Sequence, residues 1–149
     1  MTPKIIDPTL SVSEQIKPED IAAIVSSGFK SIICNRPDGE AVDQPAFAKI
    51  ETAAKAAGLS AAYQPVVSGK VSDEDSLAFG SLMDALPKPV FAYCKTGTRS
   101  TTLWSLSEAA RGRPLPDILA TTKAAGYDMT DVVQRIAQAN LSPLPDQDG

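Results

Sequence analysis

Apolar positions along this chain follow two periods, one of strands and one of helices, which alternate. Short runs of alternating or β-branched residues predict strands at 10–16, 30–35, 61–67 and 89–94. Apolar stripes bounded by caps, Pro or Gly predict helices at 17–28, 45–58, 72–86, 100–112, 115–125 and 130–139. This order predicts an α/β domain with a mainly parallel central sheet flanked by helices. In such sheets, ligands bind beyond the carboxyl ends of the strands.

Composition sets limits on the kind of domain. A chain of 149 residues with 43% hydrophobic and 21% charged residues is typical of one globular domain. We expect this domain to occupy residues 1–140 and a disordered, Pro-rich tail to occupy 141–149. The net charge of −4 supplies no basic field for nucleic acid or for an anionic membrane, so neither is an expected partner.

The counts of histidine and cysteine narrow the chemistry further. There is no histidine, which excludes Cys-His and Ser-His dyads and disfavours a zinc site, and the sequence implies no metal or cofactor. The first residues lack the layout of a signal peptide, and no apolar run reaches the roughly 20 residues of a membrane span. We therefore expect a cytoplasmic protein whose two cysteines are reduced thiols.

The stretch YCKTGTRS, residues 93–100, joins a predicted strand to a predicted helix. Such a loop directs backbone N–H groups and the positive end of the helix into one concavity, which favours anion binding. Gly97 allows the chain to turn where a side chain would block that concavity. The residues of the predicted anion-binding loop are Lys95, Thr96, Gly97, Thr98 and Ser100.

Cys94 and Arg99 are the predicted catalytic residues of this loop. The helix end and Arg99 favour the thiolate form of Cys94, which is the nucleophilic form. Arg99 also provides a forked, permanently charged donor for an oxyanion. The alternative is a buried strand-end cysteine followed by an ordinary turn. The combination of cysteine, glycine, arginine, hydroxyl residues, strand and helix favours the catalytic interpretation.

Three stretches carry a resemblance to a known family: the segment 10–40, GLSAAYQPVVSG at 58–69, and PVFAYCKTGTRSTTLWSL at 89–106. They resemble the phosphatase-like domain of bacterial beta-lactamase hydrolase-like proteins, a family also described as sulfur transferases, and the resemblance extends over 8–140. It implies the fold of the dual-specificity and tyrosine phosphatases. In some members this domain is fused to a metallo-hydrolase domain similar to persulfide dioxygenases.

The cysteine loop departs from the phosphatase pattern in its length. Cysteine phosphatases use Cys-x5-Arg, usually with His before the Cys, whereas this chain has Cys94-x4-Arg99 preceded by Tyr93. Single-domain rhodaneses often carry Cys-x-x-Gly-x-Arg-Ser, which CKTGTRS matches at every position. The shorter loop is expected to enclose a smaller cavity, better sized for the terminal sulfur of a persulfide than for a phosphoryl group.

A second departure concerns the general acid. Phosphatases of this fold place an Asp in the loop after the strand equivalent to 61–67. Here that loop, VSGKV at 67–71, has no acid, and the next acid is Asp73. General acid catalysis is worth roughly 10²–10⁴ in rate. Transfer of sulfane sulfur between thiols needs no such acid, because a thiolate is a tolerable leaving group.

These departures make a rhodanese-like sulfurtransferase the leading hypothesis from sequence. Cys94 would form a persulfide and pass its sulfane sulfur to an acceptor thiol. The substrate would be a small anionic sulfur compound, and a separate persulfide-handling enzyme would be the partner. The alternative enzyme is a cysteine-dependent phosphatase that forms a phosphocysteine at Cys94 from a small phosphate substrate. The third hypothesis is a non-catalytic module that binds anions.

The turn NRPDGE at 35–40 carries three further charges. The resemblance implies that the preceding strand neighbours the Cys94 strand, so that these charges lie on the pocket rim. Arg36 would then bind a carboxylate or sulfonate of the substrate, and Asp38 would be a displaced acid. The other interpretation is a Pro-Asp-Gly turn with solvated charges. We favour this second interpretation for Asp38 and Glu40, and for Arg36 we give the two interpretations equal weight.

Cys34, at the end of the strand 30–35, has two interpretations. It is a resolving thiol for Cys94, as some phosphatases of this fold have at this strand, or a buried strand cysteine. Because free cysteine is among the most buried residue types, the second interpretation is favoured.

Overall fold

The computed structural model describes residues 1–141, which form a five-stranded sheet and six α-helices. The strands are β1 Lys4–Asp7, β2 Leu10–Ser13, β3 Ser31–Cys34, β4 Ser60–Tyr63 and β5 Val90–Tyr93. The helices are α1 Ile21–Ser26, α2 Phe47–Ala56, α3 Asp73–Ala85, α4 Thr98–Ala110, α5 Leu115–Ala124 and α6 Thr130–Leu141. The predicted fold class is confirmed. Of the predicted tail at 141–149, the first residue ends α6 and the rest lies outside the described residues.

The strands are ordered β1-β2-β5-β3-β4, and every pairing except that of β1 with β2 is parallel. The segments that follow β2, β3, β4 and β5 therefore meet at one edge of the sheet. Cys34 pairs with Tyr93, which places the end of β3 beside the end of β5. This adjacency is the one that the family resemblance implied for the turn at 35–40.

The sequence pattern missed β1, and its burial explains why. Lys4 and Ile5 are exposed, and the strand pairs only with β2 at the edge of the sheet. An edge strand buries little apolar surface, so it leaves only a weak alternating pattern. In contrast, β2, β3 and β5 are buried along their whole length, and they appear as an alternating pattern in β2 and as apolar runs in β3 and β5.

Two cores cover the two faces of the sheet. The first packs α1 and α2 onto β3 and β5 through residues such as Ile24, Ile50 and Phe91. The second packs α3, α4 and α5 onto the opposite face through residues such as Phe79, Leu103 and Ile118. Within residues 1–141, no helix combines the length and apolar character that a bilayer span requires.

Helix α4 begins at Thr98, two residues earlier than the sequence predicted. Gly97 is its N-cap, with φ of 92°, a left-handed conformation that residues with a Cβ rarely adopt. The early start places Arg99 in the first turn of α4 rather than in the loop. The arginine is therefore held on a helix that is packed against the sheet.

Candidate active site

Cys94 lies one residue beyond β5, where its backbone is held by the neighbouring strand ends. Its N–H donates to the carbonyl of Ser13 at 3.3 Å, and the carbonyl of Tyr93 accepts from the N–H of Asn35 at 2.8 Å. The parallel ladder thus continues past the strands on both sides. The cysteine is fixed at the carboxyl edge of the sheet, where α/β domains bind ligands.

The loop after Cys94 folds back over its sulfur. The Gly97 N–H donates to Cys94 Sγ at 3.0 Å, and the Cys94 side chain has no exposed surface. This donor faces the sulfur because Gly97 turns the chain into the first turn of α4. The loop and the helix N-terminus therefore direct N–H donors toward the sulfur of Cys94.

Arg99 is buried, and its orientation is set by three hydrogen bonds. Nη1 and Nη2 donate to the two carboxylate oxygens of Glu40 at 2.8 and 2.9 Å, and Nη1 also donates to the Val66 carbonyl at 3.0 Å. These bonds use three of the five guanidinium N–H groups. Within residues 1–141 no acceptor engages Nε–H or the second Nη2–H, so one edge of the fork can bind two oxygens of an oxyanion.

Glu40 lies between two buried arginines. Its Oε1 also accepts from Arg36 Nε at 2.9 Å, and Arg36 Nη1 donates to Gln15 Oε1 at 3.1 Å. The hydrogen bonds from Arg99, reinforced by Arg36, hold the pKa of Glu40 below its usual range despite partial burial. The interpretation of Glu40 as a solvated turn charge is therefore wrong: it is the counter-ion of Arg99. A buried arginine requires a carboxylate partner. The predicted catalytic arginine was therefore the feature of the sequence that could have pointed to an acidic partner such as Glu40.

Arg36 and Asp38, the two predicted rim residues, take up local roles in the structure. Arg36 is committed to Glu40 and Gln15, as described above. Asp38 Oδ1 accepts from the N–H of Phe47, the first residue of α2, at 2.8 Å. Neither residue lines the cavity over the cysteine loop. Asp38 thus stabilises the start of α2, and its role as a displaced acid stays a prediction.

Cys34 packs in the core between the sheet and α2. Its Sγ donates to the Arg36 carbonyl at 3.3 Å, and burial raises the pKa of the thiol. The neighbouring Tyr93 hydroxyl is buried without a well-formed hydrogen bond, and burial and Cys34 raise its pKa. Cys34 is thus buried at the end of a strand, as the favoured interpretation expected, and its role as a resolving thiol for Cys94 stays a prediction.

Ser100 connects the start of α4 to the end of β3. Its Oγ donates to Asn35 Oδ1 at 2.8 Å, and Asn35 Nδ2 donates in turn to the Gln64 carbonyl at 3.0 Å. All of the Ser100 side chain is buried. The hydroxyl proton is therefore directed to Asn35 rather than to the sulfur, and Ser100 anchors the helix that carries Arg99.

Tyr127 contacts the loop from the side of the α5–α6 connection, and the sequence pattern did not single it out. Its hydroxyl donates to the Thr96 carbonyl at 3.1 Å. It also fills the space that a Cβ on Gly97 would need. Burial raises the pKa of Tyr127, with a smaller contribution from Cys94. A tyrosine 31 residues from its partner leaves no local signal in the sequence.

A cavity of about 340 Å³ opens over the loop. Its lining residues are Ser68, Gly69, Val71, Lys95, Thr96, Thr98, Arg99, Thr102 and Arg135. Three of these residues are cationic and none is acidic, so the cavity attracts anions. The predicted loop residues Lys95, Thr96 and Thr98 line it together with Arg99, whereas Gly97, Ser100 and the buried Cys94 are not among its lining residues.

Sequence comparison identifies the relatives of this chain. Residues 3–111 match the family model for the phosphatase-like domain of beta-lactamase hydrolase-like proteins, which confirms the resemblance noted in the sequence. The beta-lactamase hydrolase-like protein of Agrobacterium fabrum is 39% identical over 125 residues. That match covers 83% of this chain but only 29% of the relative, so the chain spans less than a third of the relative's length.

Solved structures give the same fold. A candidate phosphatase from Neisseria meningitidis superposes with a TM-score of 0.82 at 36% identity, over 91% of this chain and 96% of that one. P. aeruginosa TpbA, in a cysteine-to-serine form in complex with pTyr, has a TM-score of 0.59 at 18% identity, over 89% of this chain and 78% of that one. The second likeness shows the fold alone.

Proposed function

Because the chain belongs to the family of phosphatase-like domains of beta-lactamase hydrolase-like proteins, we propose that it is a cysteine-dependent phosphatase acting through Cys94. One observation carries the proposal. Glu40 engages Nη1 and Nη2 of Arg99 end-on, so the side-on edge, formed by Nε–H and the second Nη2–H, remains for an oxyanion. Arg99 follows a loop whose Gly97 N–H donates to Cys94 Sγ. A nucleophile before the loop and a bidentate oxyanion donor in the helical turn after it are what phosphoryl transfer to sulfur requires.

The reaction would have two steps. The Cys94 thiolate attacks phosphorus, an S–P bond forms, the P–O bond of the ester breaks, and the leaving oxygen takes a proton from solvent. Water then attacks the phosphocysteine, the S–P bond breaks, and inorganic phosphate leaves with regeneration of the thiolate. Arg99 stabilises the charge on the equatorial oxygens in both steps. Since Cys94 has no exposed surface, the segment 95–97 must shift outward to admit phosphorus.

The substrate class follows from the missing acid. Among residues 1–141 no carboxylate lines the cavity, and the loop after β4 has none at 67–71. A general acid is worth roughly 10²–10⁴ in rate, and most where the leaving oxygen is strongly basic. Aryl phosphates, whose phenolate leaves without full protonation, are therefore the proposed substrates. The pTyr complex of TpbA, a protein of the same fold, agrees with this class.

Sulfur transfer, the leading hypothesis from sequence, becomes the second candidate. The family model describes a phosphatase-like domain, and the Neisseria meningitidis relative is a candidate phosphatase by name. The specific observation that still favours sulfur transfer is the spacing of four residues between Cys94 and Arg99, which matches the rhodanese loop. Both reactions use the same thiolate, so one experiment distinguishes them.

The test is hydrolysis of p-nitrophenyl phosphate and O-phosphotyrosine by the purified chain, with Cys94→Ser and Cys34→Ser as matched thiol variants. We expect phosphate release that Cys94→Ser abolishes and Cys34→Ser retains, and acid quenching should trap the mass of one phosphoryl group on Cys94. A leaving-group series should show rates that fall steeply as the phenol becomes more basic. Absence of phosphate release would overturn the proposal, and one added sulfur mass after treatment with a sulfane donor would then favour sulfur transfer.

A further inference from the structure

Arg135 of α6 lines the same cavity as Lys95, Thr96 and Arg99. Its Nη1 donates to the Val71 carbonyl and its Nη2 to Asp73 Oδ1, both at 3.0 Å. Val71 lies just before α3 and Asp73 is the first residue of α3, and Val71 lines the cavity together with Lys95 and Arg99. The guanidinium is thus positioned by two hydrogen bonds, and α6 lies outside the residues that match the family model.

The three cations of the cavity differ in how far they are neutralised. Arg99 is buried and paired end-on with Glu40. Arg135 is 46% exposed, and its partner Asp73 is 83% exposed, so that pair is weakly coupled through solvent. Lys95 lines the same cavity, and no acidic side chain joins it there. The cavity therefore keeps positive charge beyond what one phosphoryl group at Arg99 would use.

The volume of the cavity also indicates that the cavity can hold more than one phosphoryl group. A cavity of about 340 Å³ lies within the range of small-molecule sites, whereas a single phosphate group is much smaller than a typical ligand of such sites. Ser68, Val71, Thr102 and Arg135 line the cavity together with Arg99. An occupant that fills the whole cavity would therefore contact Arg135 as well as Arg99.

We propose that Arg135 and Lys95 form a second anion subsite and that the preferred substrate is a small phosphomonoester with a second negative group. This inference rests on the proposed function for its first anion, which binds at Arg99. The second group, a carboxylate or a further phosphate, accepts from the N–H groups of Arg135 that Val71 and Asp73 leave available. The subsite thus selects among phosphomonoesters and does not take part in the chemical step.

The experiment compares 3-carboxyphenyl phosphate with 3-carbamoylphenyl phosphate, which have the same shape and differ in one charge. The wild-type chain should have the higher kcat/KM for the carboxylate. Arg135→Gln should lower that value about three- to tenfold and change the value for the amide less than about twofold. Arg111→Gln is the matched control, because Arg111 makes a comparably exposed pair with Asp84 and lines no part of this cavity.

Binding separates a failure of the subsite from a failure of the proposed function. Calorimetry in the Cys94→Ser background measures the affinity of both compounds without turnover, with and without Arg135→Gln. A preference for the carboxylate that Arg135→Gln removes supports the subsite, even if the wild-type chain hydrolyses neither compound. Equal affinity for the two compounds, or a preference that persists in Arg135→Gln, overturns the subsite while leaving the phosphatase proposal to the hydrolysis assay.

Discussion

Replacing Glu40 with Gln tests whether this carboxylate is the counter-ion of the buried arginines. Oε1 accepts from both Arg36 and Arg99, and Oε2 accepts from Arg99 Nη1. A Gln carbonyl can replace one oxygen, but its NH2 group then faces a guanidinium N–H, donor against donor. The substitution also leaves two arginines, with side chains only 6% and 8% exposed, without their compensating charge.

The magnitude lies between the values for buried and exposed pairs. Removing one partner of a buried pair costs about 3–5 kcal/mol, whereas exposed pairs contribute about 0–1 kcal/mol. The Glu40 side chain is 26% exposed, so we expect Glu40→Gln to lower the free energy of unfolding by about 1.5–3 kcal/mol. For a domain of this size that corresponds to a fall in Tm of about 3–12 °C. Glu51→Gln, in the exposed pair with Lys55, should cost no more than about 0.5 kcal/mol.

The loss of stability caused by Glu40→Gln should become smaller as the pH falls. Because the folded-state pKa of Glu40 is lowered, its contribution is present above the unfolded pKa, near 4.5, and is lost as pH falls through the folded value. Urea unfolding of the three proteins between pH 7 and pH 3 measures this dependence. The difference between wild type and Glu40→Gln should shrink as the pH falls below about 4.5. A difference that is constant across this range, or no larger than that of Glu51→Gln, would refute the assignment.

Three further substitutions test the loop. Gly97→Ala forces a Cβ into a left-handed backbone and against the Tyr127 hydroxyl, so it should cost about 1–3 kcal/mol and weaken inorganic phosphate binding about tenfold in calorimetry. Gly58→Ala, with φ of 90° in open space, is its control, and equal effects of the two on phosphate binding would contradict the reasoning. Tyr127→Phe removes the hydrogen bond to the Thr96 carbonyl and should raise the phosphate Kd about three- to tenfold, because one such bond is worth about 1 kcal/mol. An unchanged Kd would show that the hydroxyl does not position the loop. Cys94→Ser should retain phosphate binding, and loss of binding would indicate that the sulfur, rather than Arg99 and the loop amides, supplies the affinity.

Local pattern predicted the elements other than β1 and the position of the cysteine loop. The alternation of β2, the apolar runs of β3 and β5 and the caps of the helices are local properties, because hydrophobic periodicity and capping involve residues close together in sequence. The capping box of Ser72 and Asp75 at the start of α3 is one example, since Ser72 Oγ accepts from the Asp75 N–H at 3.0 Å. The glycine and arginine after Cys94 are local in the same sense. The sequence alone therefore determined the fold class and the loop.

The partners of that loop were decided only by the tertiary structure. Glu40 lies 59 residues before Arg99 and reaches it because β3 pairs with β5, so that the turn after one strand meets the helix after the other. Arg135 enters the cavity wall through contacts with Val71 and Asp73, more than 60 residues away. No periodicity records such distances, because a charge in a turn has the same local pattern whether water or a buried arginine faces it. The order of the strands decides that Glu40 faces Arg99, whose burial requires a carboxylate partner. The packing of α6 decides in the same way that Arg135 lines the cavity.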